Sequence, residues 1–210
     1  MTARSRKVRP LPDRPVPARP VAVRPMTRRG WMLLVPAVAL TACATPQTRT
    51  PAVGQDPQVA RVEAYLRHVN LIDAPFTQVW PDGAQGGGVL TYRPGTLDMR
   101  FSVPHAMELR AAERHAIFTD SQSGSETRIG LAHNPLGLLL DDPVRLSGPV
   151  TVTDVRQGNG FLQLSLARTD NPSQGLVTLR FRDQGDRLSL YQAHIVDERR
   201  QVTLITLAPQ

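Results

Sequence analysis

The chain has a single cysteine, Cys43, in 210 residues, so no intramolecular disulfide can form. Histidine is scarce as well. His68, His105, His115, His133 and His194 show no H-x-x-x-H spacing and no accompanying Cys cluster, which removes the usual signatures of a metal site. No G-x-S-x-G elbow is present. The body of the chain also lacks an excess of positive charge. The formal net charge of +7 suggests nucleic acid, but residues 1–42 hold nine Lys/Arg against one acid, Asp13. The remaining sixteen Arg face seventeen Asp/Glu. With no surplus cation outside the leader, the electrostatic footprint of phosphate binding is missing.

Two features imitate chemistry without supplying it. Gly83, Gly86, Gly87 and Gly88 invite a phosphate-loop reading, but the segment lies between two strand patterns with no helix N-terminus after it, and it reads as a hairpin tip. Asp141 and Asp142 are adjacent. They read as a helix stop rather than an acid/base pair, which needs two carboxyls facing one reacting atom. No polar catalytic cluster emerges, so the sequence points away from an enzyme and implies no cofactor.

What is present begins with a leader. Residues 1–25 are rich in Arg and Pro without apolar period, and cannot bury a core. Met26 opens a better export signal: Arg28 and Arg29 form a basic start, followed by an apolar run over residues 31–42 that is too short to span a bilayer comfortably. Translation is therefore expected to start at Met26, with residues 1–42 as leader and signal peptide. Leu40-Thr41-Ala42-Cys43 reads as a lipobox, where bacterial lipoproteins are acylated on Cys and cut before it. Ala42-Cys43-Ala44 also fits ordinary signal cleavage after Ala44, which would discard the Cys. Both readings stand on the residues alone. A lipidated Cys43 would anchor the protein to a membrane. Residues 43–55, with Pro46, Pro51 and Gly54, form a tether, and residues 56–210 form the domain.

The domain opens on Asp56-Pro57, a cap followed by a first-turn proline, and Val59, Val62, Leu66 and Val69 then recur at helical spacing up to about Asn70. The period then becomes two. Phe76 to Trp80 reads as a strand, residues 81–88 as a loose glycine-rich turn, and Val89 to Tyr92 as the returning strand, stopped by Pro94-Gly95. Leu97, Met99, Phe101 and Val103 alternate with polar residues, and further runs continue to about Leu207. Roughly ten short strands imply an antiparallel sheet that must curl or close. Asn134-Pro135 repeats the cap signal and opens Leu136-Gly137-Leu138-Leu139-Leu140, a short helix apolar nearly all round, which must be covered on most sides. Arg93 is the notable polar residue, extended because Pro94 follows it. It reads either as an exposed strand-end arginine or as one directed over an apolar cavity and donating to backbone carbonyls.

Phe76-x-Gln78, the Gly-rich segment and Leu90-Thr91-Tyr92-Arg93-Pro94-Gly95 resemble the opening sheet of the outer-membrane lipoprotein carrier (LolA) family. Asn134 to Leu140, Val150 to Val155 and Gln174 to Leu179 are similar to later segments of that family, in the same order over residues 59–207. The resemblance implies a mainly β fold with a few helices: a curved, incompletely closed antiparallel β-barrel with a helical lid over a hydrophobic cavity. It implies a periplasmic carrier or chaperone for protein transport. Such a carrier binds the acyl chains of lipoproteins, takes them from an inner-membrane lipoprotein-releasing transporter and passes them to an outer-membrane acceptor. On this resemblance Arg93 matches the family arginine that bonds lid groups, Leu97, Met99 and Phe101 match the cavity-lining strand, and Leu136, Leu138, Leu139 and Leu140 match the closing helix.

Three departures from the family matter. A lipobox at Cys43 suits the membrane-anchored acceptor (LolB), which shares the fold, better than a soluble carrier. Val103-Pro104-His105 leaves little room for the acceptor's projecting loop, and the chain ends soon after Leu207 without the tail of many carriers. The expected roles are thus carrier, tethered acceptor, or a non-transporting envelope lipoprotein that senses lipid or binds a protein. The expected location is the periplasm, with the outer membrane favoured if Cys43 is lipidated. Physics limits the mechanism in each case. Burying three long acyl chains fully, at ~0.8 kcal/mol per CH₂, would exceed ~30 kcal/mol and the range of known affinities. The cavity should bury them incompletely, and lid opening should oppose binding.

Overall fold

The computed structural model describes residues 56–132 and 134–209. The leader, Cys43 and the tether lie outside the described residues. The helix α1 (Pro57–His68) starts at Asp56, whose carboxylate accepts from the Gln58 N–H at 2.8 Å, with proline in the first turn where an N–H has no partner to lose. Val59, Val62 and Leu66 are its buried face. The helix ends where Val69 turns extended, its N–H donating to the Tyr65 carbonyl at 2.9 Å.

Eleven strands follow: β1 (Leu71–Val79), β2 (Gln85–Arg93), β3 (Thr96–Val103), β4 (Met107–Ala112), β5 (His115–Asp120), β6 (Ser125–Gly130), β7 (Val150–Gly158), β8 (Phe161–Arg168), β9 (Gly175–Asp183), β10 (Leu188–Asp197) and β11 (Val202–Leu207). They form one antiparallel sheet in the order β6-β5-β4-β3-β2-β1-β11-β10-β9-β8-β7. Each strand pairs with its sequence neighbour except that β1 pairs with β11, so two meanders are joined at the first and last strands. β6 and β7 are the edges and do not pair with each other: the sheet is not closed.

The sheet bends sharply. Leu97 and Met99 of β3 and Leu179 of β9 line one small pocket. On a flat sheet, strands five places apart would lie about 24 Å from each other at ~4.8 Å per step. Only a curled sheet brings both to one space. Its inner face carries the period-two residues: Leu97, Met99 and Phe101 are buried along β3, whereas Arg100 and Ser102 are exposed. The same alternation buries Leu162, Leu164 and Leu166 along β8 and Val177, Leu179 and Phe181 along β9.

Two expectations are corrected. Strand β1 begins at Leu71 rather than Phe76. A bulge between Leu71 and Ala74, with Asp73 at φ +46°, interrupts the alternation that the sequence pattern tracks. The glycine-rich stretch is not a hairpin tip beyond Ala84. Gly86, Gly87 and Gly88 lie inside β2, because other groups fill the space of a side chain: a Cβ on Gly88 would overlap the Arg100 carbonyl, and one on Gly86 the Trp80 ring. The turn is tighter, closed by Trp80 N–H to Ala84 O and Gly83 N–H to Trp80 O, both at 2.9 Å.

The topology gives residues 131–149 a particular course. They connect the edge strand β6 to the opposite edge β7, so the chain must cross the open side of the sheet. Within them lies a short 3-10 helix, Pro135–Leu140, capped by the Asn134 side chain accepting from the Leu136 N–H at 2.9 Å. Leu138, Leu139, Val144 and Leu146 join the core cluster formed by α1 and β7–β9, while Leu131 and Leu140 join the cluster built on β1–β5. The crossing segment thus stitches the two halves of the inner face together.

Candidate functional site

Where these two clusters meet, the structure leaves a wholly apolar pocket with about 60 Å³ of space. Its walls come from every layer: Leu66 of α1; Leu90, Tyr92, Leu97 and Met99 of β2 and β3; Leu136, Leu139 and Leu140 of the 3-10 helix; and Leu179, Leu190, Ile195 and Ile205 of the second meander. The space is far below the ~300–1,000 Å³ of a site for a sizeable ligand. In this arrangement the interior is nearly filled.

A wider cleft of about 250 Å³ adjoins it. The two share Met99, Leu136, Ile195 and Ile205 as a common wall. On the cleft side the lining becomes mixed: Asn134, Asp197, Gln201 and the buried Gln78 join apolar residues such as Pro81 and Leu109. Leu136 therefore stands between a partly polar vestibule and the apolar interior.

The crossing segment is held by a small number of polar contacts. The Tyr92 hydroxyl donates to the Leu139 carbonyl at 2.7 Å within the core. Burial pushes the Tyr92 phenol well above its usual range, so the hydroxyl stays a donor across ordinary pH. Arg168 Nη1 donates to the Ala132 carbonyl at 2.6 Å, while the same guanidinium holds Asp170 and keeps its carboxyl below the usual carboxylate range. Beyond the 3-10 helix, Arg67 Nε donates to Val144 O at 3.1 Å and the Leu146 N–H donates to Glu63 at 2.8 Å. Arg67 and Glu63 also pair with each other, one helical turn apart.

The helix α1 is fixed separately. Arg61 reaches Asp183 of β9 with both terminal nitrogens, at 2.7 and 3.0 Å. The guanidinium lowers the Asp183 carboxyl below its usual range. The Tyr65 ring meets Phe181 edge-on at 5.3 Å, and its hydroxyl accepts from the Leu190 N–H at 3.2 Å.

The residues singled out from the sequence divide between sites. Leu97 and Met99 line the pocket. Phe101 faces inward on the same strand but lies beside it, edge-on to Phe76 at 5.1 Å and stacked on Trp80 at 5.7 Å. Leu136, Leu139 and Leu140 line the pocket, and Leu138 turns into the cluster under α1. Arg93 is on the other face. It is exposed on the outer side of the sheet, where its Nε donates to Thr96 Oγ1 at 3.2 Å. Of the two placements the sequence leaves open, this is the exposed strand-end one and not the one over the cavity that the resemblance implies: along β2, Leu90 and Tyr92 face in and Arg93 faces out.

The sequence reading did not single out Tyr92, whose signal was available. An alternation that turns Leu90 inward also turns Tyr92 inward, and a buried tyrosine hydroxyl needs a partner. The hold of Arg67, Glu63 and Arg168 on the crossing segment carried no comparable signal, because the groups they meet there, Val144 O, Leu146 N–H and Ala132 O, are main-chain groups far away in sequence. Among the described residues no three His, Cys, Asp or Glu converge to hold a metal ion. The chain matches no family model and no curated protein.

Proposed function

We propose that the protein is a periplasmic carrier that shelters the acyl chains of lipoproteins and passes them towards the outer membrane, a binding protein and not an enzyme. The observation that carries this reading is the wholly apolar interior, roofed by a segment that joins the two unpaired edges of one sheet. In this reading the sheet is an incompletely closed barrel, and residues 131–149 with α1 form its lid. The nearly filled interior, with about 60 Å³ of free space, is the closed arrangement in this reading, and acyl chains take the place of lid leucines when the lid lifts. Exchange of one apolar lining for another keeps the uptake reversible. Each CH₂ buried contributes ~0.8 kcal/mol, so the first few methylenes offset the loss of a lid hydrogen bond worth ~1 kcal/mol. The vestibule beside Leu136 is the place where a chain would enter. Latching falls to Tyr92 through Leu139, in place of the arginine role the resemblance gives to Arg93.

In use, the donor would be an inner-membrane lipoprotein-releasing transporter and the recipient an outer-membrane acceptor. A second reading rests on Leu40-Thr41-Ala42-Cys43: a lipid on Cys43 would make the chain a membrane-tethered acceptor on the same fold. The test is to incubate the purified protein with a fluorescent acyl probe and with a triacylated lipopeptide, and to identify lipid that co-purifies. Saturable uptake of both is expected. A folded protein that takes up neither refutes both lipid readings. Cys43→Ala separates the two. The tethered reading expects the protein to move from the membrane to the soluble periplasmic fraction, and unchanged fractionation removes it.

A further inference from the structure

The two edges of the sheet differ. The edge β7 is broken by a bulge between Val152 and Asp154, a device that blunts an edge against further pairing. The edge β6 is regular: six consecutive residues from Ser125 to Gly130 pair in register with β5, and all six are exposed. Among the described residues no strand occupies its outer side.

The hydrogen-bond phase of that edge is fixed. Leu131 N–H donates to the Arg114 carbonyl at 2.7 Å, towards β5. Main-chain groups alternate in direction along an antiparallel strand, so those of Ile129, Thr127 and Ser125 also point to β5. The main-chain groups of Glu126, Arg128 and Gly130 point outward, where among the described residues no strand pairs with them.

A strand that adds to itself about a twofold axis must match this phase. A twofold centred on Glu126 would oppose two glutamates, and one on Arg128 two arginines. Centred on Thr127, the twofold places Glu126 opposite Arg128 of the second copy and Arg128 opposite its Glu126. Both are outward-bonding positions, so about four main-chain hydrogen bonds close between them. The side chains of Glu126 and Arg128 project from the outer face, as Ile117 does opposite Arg128. Two unlike-charge cross-strand pairs result. Of the registers that the bonding phase permits, this one pairs unlike charges twice.

We propose that β6 is a self-association edge: two copies of this chain pair antiparallel through residues 125–130, centred on Thr127, into one continuous sheet. The edge contact is small against the ~1,200 Å² of a stable interface, so the dimer is weak and reversible.

The test is sedimentation equilibrium of the full chain from about 1 μM to about 1 mM, with charge reversals at the edge. Glu126→Arg and Arg128→Glu each place like charges opposite one another at both pairs, and each should raise the dissociation constant about tenfold or more. The double reversal restores both pairs and should return it to within about threefold of the parent. Glu126→Pro removes an outward N–H without touching the bonds to β5, and should leave the protein monomeric and folded. A parent that stays monomeric throughout overturns the proposal. So does a dimer indifferent to the single reversals, which associates by another surface. A monomer that instead takes up an extended peptide along β6 assigns the edge to a different partner and overturns it as well.

Discussion

Removing the Tyr92 hydroxyl tests whether the segment over the pocket is a lid. Tyr92→Phe keeps the ring that lines the pocket and deletes the 2.7 Å bond to the Leu139 carbonyl. Tyr92 is only 7% exposed, so little water reaches the carbonyl left behind, and an unpaired buried acceptor costs ~1–3 kcal/mol. We take ~1–2 kcal/mol here. If the bond holds the closed state, its loss raises the open fraction by about 5–30-fold, and the apparent dissociation constant for an acyl probe falls by the same factor while the closed state still dominates. Two measurements are needed on parent and variant. Thermal unfolding should shift down by about 2–4 °C per kcal/mol for a domain of this size, and any structural bond would produce that shift. Probe titration is the discriminating assay, because tighter uptake by a less stable protein is expected only of a latch. A variant that loses stability but binds the probe with unchanged or weaker affinity shows that opening at Leu139 does not limit uptake, and the lid reasoning is then wrong.

Three further outcomes are expected. Gly88→Ala places a Cβ on the Arg100 carbonyl and should cost about 1–3 kcal/mol or more in chemical denaturation; a neutral effect would show that β2 and β3 do not approach as described. The raised phenol pKa values of Tyr92 and Tyr65, both caused first by burial, give a stability contribution fully present below the ordinary phenol value of ~10 and lost as pH rises above it. Alkaline unfolding curves of Tyr92→Phe should therefore be flatter than those of the parent above about pH 10, and equal slopes would argue against a buried hydroxyl. The lowered Asp183 carboxyl, held first by the Arg61 guanidinium, contributes stability present above the ordinary carboxylate value of ~3.9 and lost as pH falls below it. Asp183→Asn should lower the melting temperature at neutral pH and weaken its acid dependence; a melting temperature equal to the parent's at pH 7 would show that α1 is held by its apolar face alone.

Local rules carried the sequence reading a long way. The cap at Asp56, the three-and-four spacing of Val59, Val62 and Leu66, and the cap at Asn134 each act within a few residues, so their outcomes were legible. The two-residue period marked Leu97, Met99 and Phe101 as one face for the same reason. Where a local signal was interrupted, the reading failed. The bulge at Leu71–Ala74 broke the alternation ahead of Phe76. The glycines at 86–88 are dictated by Trp80, the Phe76 carbonyl and the Arg100 carbonyl, groups that only pairing brings to them.

Composition and periodicity determined that this chain makes an antiparallel sheet with one apolar face, a capped helix and a leucine-rich crossing that needs cover. Tertiary structure alone decided that β1 pairs with β11, that β6 and β7 stay unpaired, and that Leu136 and Leu139 therefore lie over Leu97 and Leu179. It also decided that Tyr92 rather than Arg93 meets the crossing segment. The reason is one of range. Caps, turns and side-chain alternation are set by neighbours along the chain, whereas strand order and the partner of a buried hydroxyl depend on contacts between residues tens of positions apart, which no local pattern encodes.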